Sequence, residues 1–182
     1  PYTQAYYEGV AHTIFPLAAK FTKEFCHLPE SEEEIMAEWM ELAGDLYAGS
    51  VPEKPGVRAF LERMRARGER MAVVTSAVPV HCRSALTHLR LMPYFERIFF
   101  AQELGMEKKT PELWKKVAAE LNTAPEACTL FDDSVEAIRG AKAAGMHTVG
   151  VADPYFASCA GEMAQTCEKF VSGFDAPEMA AF

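Results

Sequence analysis

Three places in this sequence set polar or charged residues directly beside apolar runs. Thr75 and Ser76 follow MAVV, and Asp132, Asp133 and Ser134 follow CTLF. Lys108 and Lys109 precede a helix-forming stretch that begins at Pro111. Taken singly, each has an ordinary reading. A Thr–Ser pair caps a helix or makes a turn, lysines before a helix are solvated, and acids at a helix start meet the positive end of its dipole. One cap needs one acid, however. Two adjacent carboxylates after a fully apolar strand repel each other, and desolvating them without a cation is costly. A hard divalent ion such as Mg²⁺ relieves this by taking one or two carboxylates together with phosphate oxygens and water. Lys108 would then neutralise both the acids and a bound phosphate, and the Thr75 hydroxyl with nearby N–H groups would orient that phosphate.

The elements that must position these residues are legible from periodicity. Up to residue 50 the chain reads as helical. QAYYEGVAHTIF and LAAKFTKEF form two short helices broken at Pro16. Ser31 and Glu34 then make a capping box, followed by the apolar stripe Ile35, Trp39, Leu42 and Leu46. The Gly- and Pro-rich segment GSVPEKPG marks a boundary, giving a helical part over 1–52 and an α/β part over 53–182. Beyond it, a helix over 55–67 ends at Gly68. The strand MAVVTS (71–76) is apolar enough to be covered on both faces. A helix over 79–90, the strand RIFF (97–100), a helix from Thr110–Pro111 with Trp114 and Val117 inward, and the strand CTLF (128–131) follow. An Ala-rich helix to Gly145, the strand HTVGV (147–151) and a short strand within 169–174 complete the pattern. Repeated βα units of this length predict an α/β fold with a doubly wound parallel sheet. In such a sheet ligands bind at the carboxyl ends of the strands, where the residues above stand.

Composition narrows the function. With 49% apolar and 24% charged residues the chain is an ordinary globular protein. Its net charge of −8 argues against a nucleic-acid surface. No apolar run approaches the roughly 20 residues of a membrane helix, and the start lacks the pattern of a signal peptide. Five cysteines without a C-x-x-C pair read as reduced thiols of a cytoplasmic protein. Cys26–His27 and His81–Cys82 lack second ligands at zinc spacing.

The order hydroxyl, lysine, acidic pair resembles the haloacid dehalogenase superfamily of phosphohydrolases, in particular the branch of phosphoglycolate phosphatases and β-phosphoglucomutase. VVTSA (73–77) is similar to its second motif, EKKTPELW (107–114) to its lysine motif K-P-x-P-E, and LFDDSVEAIRGAKAAGM (130–146) to its acidic motif. Lys109 and Ala137 stand where Pro and Gly are frequent. The resemblance implies a Rossmann-like core with a small α-helical cap, the cap being residues 1–52. It also implies Mg²⁺ as cofactor, a small phosphorylated metabolite as partner, and a monomer or homodimer. The roles it implies are Lys108 and Asp133 in catalysis, Thr75, Ser76 and Lys108 on the phosphate, and Asp133 with Asp132 on the metal.

One family feature is missing. The first motif, D-x-D-G-T, supplies the nucleophile and the general acid/base, yet among Asp45, Asp132, Asp133, Asp153 and Asp175 no two are separated by a single residue. The expectation is a phosphatase acting through an aspartyl-phosphate whose nucleophile lies on a strand about 15 to 20 residues long with its flanks, preceding Pro1, because the remaining elements are locally consistent. That strand belongs between the ones starting at residues 71 and 128. A phosphomutase of the same family and a non-catalytic phosphate-binding module are the alternatives. A phosphoacceptor receiver domain is disfavoured because its acids come first along the chain.

Overall fold

The computed structural model describes residues 3–10 and 13–182, apart from the Glu8 side chain. Two compact units emerge, one of residues 1–52 with 76–92 and one of 53–75 with 93–182.

In the first unit α1 spans Gln4–Val10, α2 Phe15–Cys26, α3 Glu32–Gly49 and α5 Pro79–His88. The break between α1 and α2 falls before Phe15, and Pro16 sits in the first turn of α2 instead of interrupting a helix. That position suits proline, because the first-turn N–H groups have no helical partner. The capping box of α3 is complete: the Ser31 hydroxyl accepts from the Glu34 N–H at 3.1 Å, and the Glu34 carboxylate accepts from the Ser31 N–H at 2.8 Å. Those bonds hold the Glu34 carboxyl below its ordinary pKa. The apolar stripe of α3 is only partly covered. Ile35 is buried, whereas Leu42 and Leu46 are 62% and 55% exposed. Helix α5 joins this unit by packing on α3, with the His81 ring stacked on Tyr47 at 5.2 Å.

The second unit carries the sheet. Helix α4 spans Val57–Ala66, and Gly68 beyond it takes the left-handed conformation that ends a helix (φ 77°). Strand β1 spans Ala72–Thr75 and β2 Arg97–Phe100; α6 spans Ala101–Leu104 and α7 Pro111–Glu120. Then come β3 Thr129–Asp132, α8 Val135–Ala144, β4 His147–Val151, α9 Ala160–Thr166 and β5 Lys169–Val171. Every ladder is parallel: Thr75 pairs with Phe100, Asp132 with Gly150, and Val151 with Val171. At β3 both faces are covered. Leu130, with Ala72 and Val74 of β1, packs on the buried core of Leu113, Trp114, Val117, Ala137 and Ala141. Phe131, whose side chain points the other way, meets Phe60 of α4 at 5.1 Å and Phe182 at 5.2 Å.

The sheet is nevertheless in two pieces, β1–β2 and β3–β4–β5, with no ladder between β1 and β3 among the described residues. Because Ala72, Val74 and Leu130 share one core, both pieces belong to one layer. Burial records the break. The last four residues of β4 are buried, whereas all of β1 and the last three residues of β3 are only half-buried. Strand β1 is therefore only half-buried, short of the cover expected for MAVVTS, and among the described residues it has a strand partner on one side alone.

Candidate active site

The acidic pair ends β3. Asp132 is its last residue, and Ser134 caps α8 by accepting the Ala137 N–H at 3.3 Å. A strand that ends where a helix is capped leaves two carboxylates in the turn. Asp132 has both oxygens engaged: Oδ1 accepts the Ser134 N–H at 2.9 Å, and Oδ2 meets the Lys108 ammonium at 2.6 Å. Its side chain is 8% exposed and that of Lys108 21%, so the pair is well shielded from water.

Lys108 lies between α6 and α7, and its main chain is fixed twice. The buried Trp114 indole donates to the Lys108 carbonyl at 2.7 Å. Gly140 of α8 lets that carbonyl approach so closely that a Cβ there would stand 2.4 Å from it. Neighbouring Lys109 turns to Glu107, whose charge raises its pKa.

Asp133 faces a different cation. Its Oδ2 lies 2.9 Å from the Lys54 ammonium, which also reaches Asp153 Oδ2 at 2.6 Å. Burial works against the charge on Lys54, but hydrogen bonds to Asp153 and Asp133 outweigh it and raise its pKa. Burial likewise pushes Asp153 up, and Lys54 with the Tyr155 N–H, 2.8 Å from its Oδ1, outweighs that and brings it below the ordinary carboxylate value.

The structure thus joins Lys108 to Asp132 and places Asp133 beside them in sequence. Thr75 stands at the carboxyl end of β1, in the other half-sheet. Ser76 follows it and belongs to the first unit. Two residues were not singled out from the sequence. Asp153 was within reach, since it comes just after HTVGV and strand ends were already the places to look. Lys54 was hidden inside a segment read as a boundary. Among the described residues no three His, Cys, Asp or Glu side chains form a metal cage. Asp132 is occupied by Lys108, so Asp133, paired through Oδ2 with the Lys54 ammonium, is the carboxylate that could take a metal.

Comparison with known proteins settles the family. Residues 10–151 match the haloacid dehalogenase-like hydrolases. The chain belongs to that family. It is 26% identical over 149 residues to a phosphorylated carbohydrates phosphatase of Thermotoga maritima, covering 82% of this chain and 69% of the relative. It is 34% identical over 98 residues to a glyceraldehyde 3-phosphate phosphatase of Pyrococcus abyssi, covering 53% of this chain and 41% of the relative. For that phosphatase, then, the match spans less than half its length. Among solved structures, CbbY from Rhodobacter sphaeroides in complex with phosphate aligns with TM-score 0.78 at 19% identity, covering 95% of this chain and 79% of that one. β-Phosphoglucomutase from Clostridium difficile aligns with TM-score 0.77 at 18% identity, covering 99% and 81%. These likenesses establish the fold, a haloacid dehalogenase-like α/β core.

Proposed function

We propose that this chain hydrolyses a small phosphate monoester with Mg²⁺, through an aspartyl-phosphate whose aspartate lies outside residues 1–182. The observation that carries the reading is the shielded Lys108–Asp132 pair with Asp133 next to it, at the carboxyl end of β3. In this reading Thr75 and Ser76 orient the phosphoryl oxygens. Lys108, aimed by Asp132, balances charge gathering on them, which is where a preorganised cation contributes most. Asp133, with Asp132 behind it, would hold the metal. Bound there, the ion would polarise the phosphoryl group.

The nucleophile would come from a strand pairing with β1 on one side and β3 on the other, since the two are half-buried, share one core and, among the described residues, form no ladder with each other. Its carboxylate attacks phosphorus in line and the ester oxygen leaves, protonated by the family's second aspartate. Water then cleaves the aspartyl-phosphate, restoring the carboxylate and releasing inorganic phosphate. Residues 1–52 would serve as the helical cap that excludes water and selects the leaving group. Its phosphatase relatives support a small phosphorylated metabolite as substrate, and the five free cysteines suit a cytoplasmic setting.

The test is an acid quench of the full-length protein during turnover of an aryl phosphate, followed by peptide mapping. A hydroxylamine-labile phosphoryl adduct on an aspartate outside residues 1–182 is expected. Turnover without an adduct, or an adduct within 1–182, would overturn the mechanism. Retained phosphate binding with no turnover would favour the binding module, and transfer to a second hydroxyl would favour a mutase.

A further inference from the structure

Lys54 is not an incidental surface lysine. Its carbonyl accepts the Val57 N–H at 3.2 Å, closing a turn into α4. Gly56 inside that turn has φ 78° and packs so closely on the backbone of Phe174 and Asp175 that a Cβ would lie 2.4 Å from the Asp175 nitrogen. The main chain at Lys54 is therefore held, and the side chain is half-exposed along its length while its ammonium bridges Asp133 and Asp153. The two carboxylates are not equivalent. Asp153 is the better shielded, at 12% against 33% exposure. It lies closer to the ammonium, and its other oxygen is fixed by the Tyr155 N–H.

We propose that Lys54 is an internal counter-cation that a divalent ion must displace from Asp133, with Asp153 holding the ammonium once it moves. The inference rests on the reading of Asp133 as the metal carboxylate. Two cations cannot share one carboxylate oxygen without strong repulsion at such short range, so ammonium and metal occupy Asp133 in turn. Lys54 thereby keeps the acids neutralised in the empty site and lowers divalent affinity. By linkage, the metal weakens the Lys54–Asp133 contact by the same factor.

The experiment is calorimetric titration of MgCl₂ into the full-length protein, wild type and variants, with thermal melts in chelator and in saturating Mg²⁺. Lys54→Met and Lys54→Gln are expected to bind Mg²⁺ about fivefold more tightly, the scale of an exposed ion pair. They should melt lower than wild type in chelator and lose that deficit in Mg²⁺. Lys109→Met removes the same charge from a lysine paired with Glu107 and should leave the affinity unchanged. Unchanged or weaker binding in both Lys54 variants, with the same melting deficit in either condition, would make Lys54 a structural tie and overturn the proposal. An equal gain in Lys109→Met would overturn it too, by reducing the effect to net charge. Asp133→Asn separates the two levels. Lost Mg²⁺ binding there, alongside unaltered Lys54 variants, refutes only the displacement, whereas wild-type binding in Asp133→Asn refutes the metal assignment and this proposal with it.

Discussion

Asp132 accepts the Ser134 N–H on one oxygen and pairs with Lys108 on the other, so in the proposed site it aims the lysine. Asp132→Asn keeps the shape and removes the charge. It is expected to lower kcat about 10- to 100-fold, the usual cost of losing an orienting partner. Lys108→Met removes the charged group itself and is expected to cost about 10²- to 10³-fold. Steady-state kinetics on both variants check the order, and a milder Lys108→Met than Asp132→Asn would contradict it. Trp114→Phe keeps most of the volume but deletes the donor to the Lys108 carbonyl. It should cost roughly 1 kcal/mol in denaturant unfolding and lower kcat as well, because the same bond places the lysine. At this scale the meeting of Lys108 with the acidic pair was legible, because charged residues placed around the ends of apolar strands are conspicuous. The resemblance left Asp132 either to help set the metal shell or to orient Lys108; the structure pairs Asp132 with Lys108 and Asp133 with Lys54, a difference that adjacent identical residues do not reveal. The indole's second role was hidden for a similar reason: Trp114 lies on the inward face of a helix, and periodicity reports burial without reporting donors.

At the level of elements, α8 and the lysine loop depend on one small residue. Gly140→Ala should gain helix propensity, about 1 kcal/mol. The added Cβ, however, meets the backbone of Lys108 and Lys109, which cannot yield as a flexible side chain would. Overpacking of that kind costs about 1–3 kcal/mol, so the net expectation is a lower melting temperature together with reduced activity. A stabilised, fully active Gly140→Ala would contradict this packing. Helix α3 offers a pH test. The Glu34 pKa is lowered in the folded chain by its bonds to Ser31, so the stabilisation is present above the ordinary carboxylate pKa and fades as pH falls through the lowered value. Hydrogen exchange of the first-turn amides of α3 should therefore quicken in acid beyond the intrinsic pH trend, and Ser31→Ala should abolish that extra dependence. Strands RIFF and HTVGV and the capping box were read correctly from pattern alone. Pro16 was misplaced because a proline suits a helix's first turn as well as a break. Leu42 and Leu46 kept helical spacing yet stay exposed, since spacing defines a face without saying what covers it.

For the whole molecule, the sequence carries no D-x-D-G-T motif and, among the described residues, no ladder joins β1 to β3; the proposed pairing strand would account for both. The place of the break was legible, because the family resemblance puts the strand of that motif between those two. The extent of its effect was not, because burial of MAVVTS depends on a neighbour outside the segment. Amides of β1 and β3 are expected to exchange faster than those of β4 in a protein of residues 1–182. They should slow markedly in a longer chain that carries the pairing strand. Equal protection of β1, β3 and β4 in the 1–182 protein would mean that the break is closed in solution. The central claim, that the carboxyl end of β3 is a metal-assisted phosphoryl-transfer site, is tested most directly by hydrolysis of an aryl phosphate by the full-length protein, with and without Mg²⁺, for wild type and Asp133→Asn. The account predicts turnover that requires Mg²⁺ and falls at least about 100-fold in the folded variant. Turnover that is indifferent to Mg²⁺, or undiminished in Asp133→Asn, would contradict it.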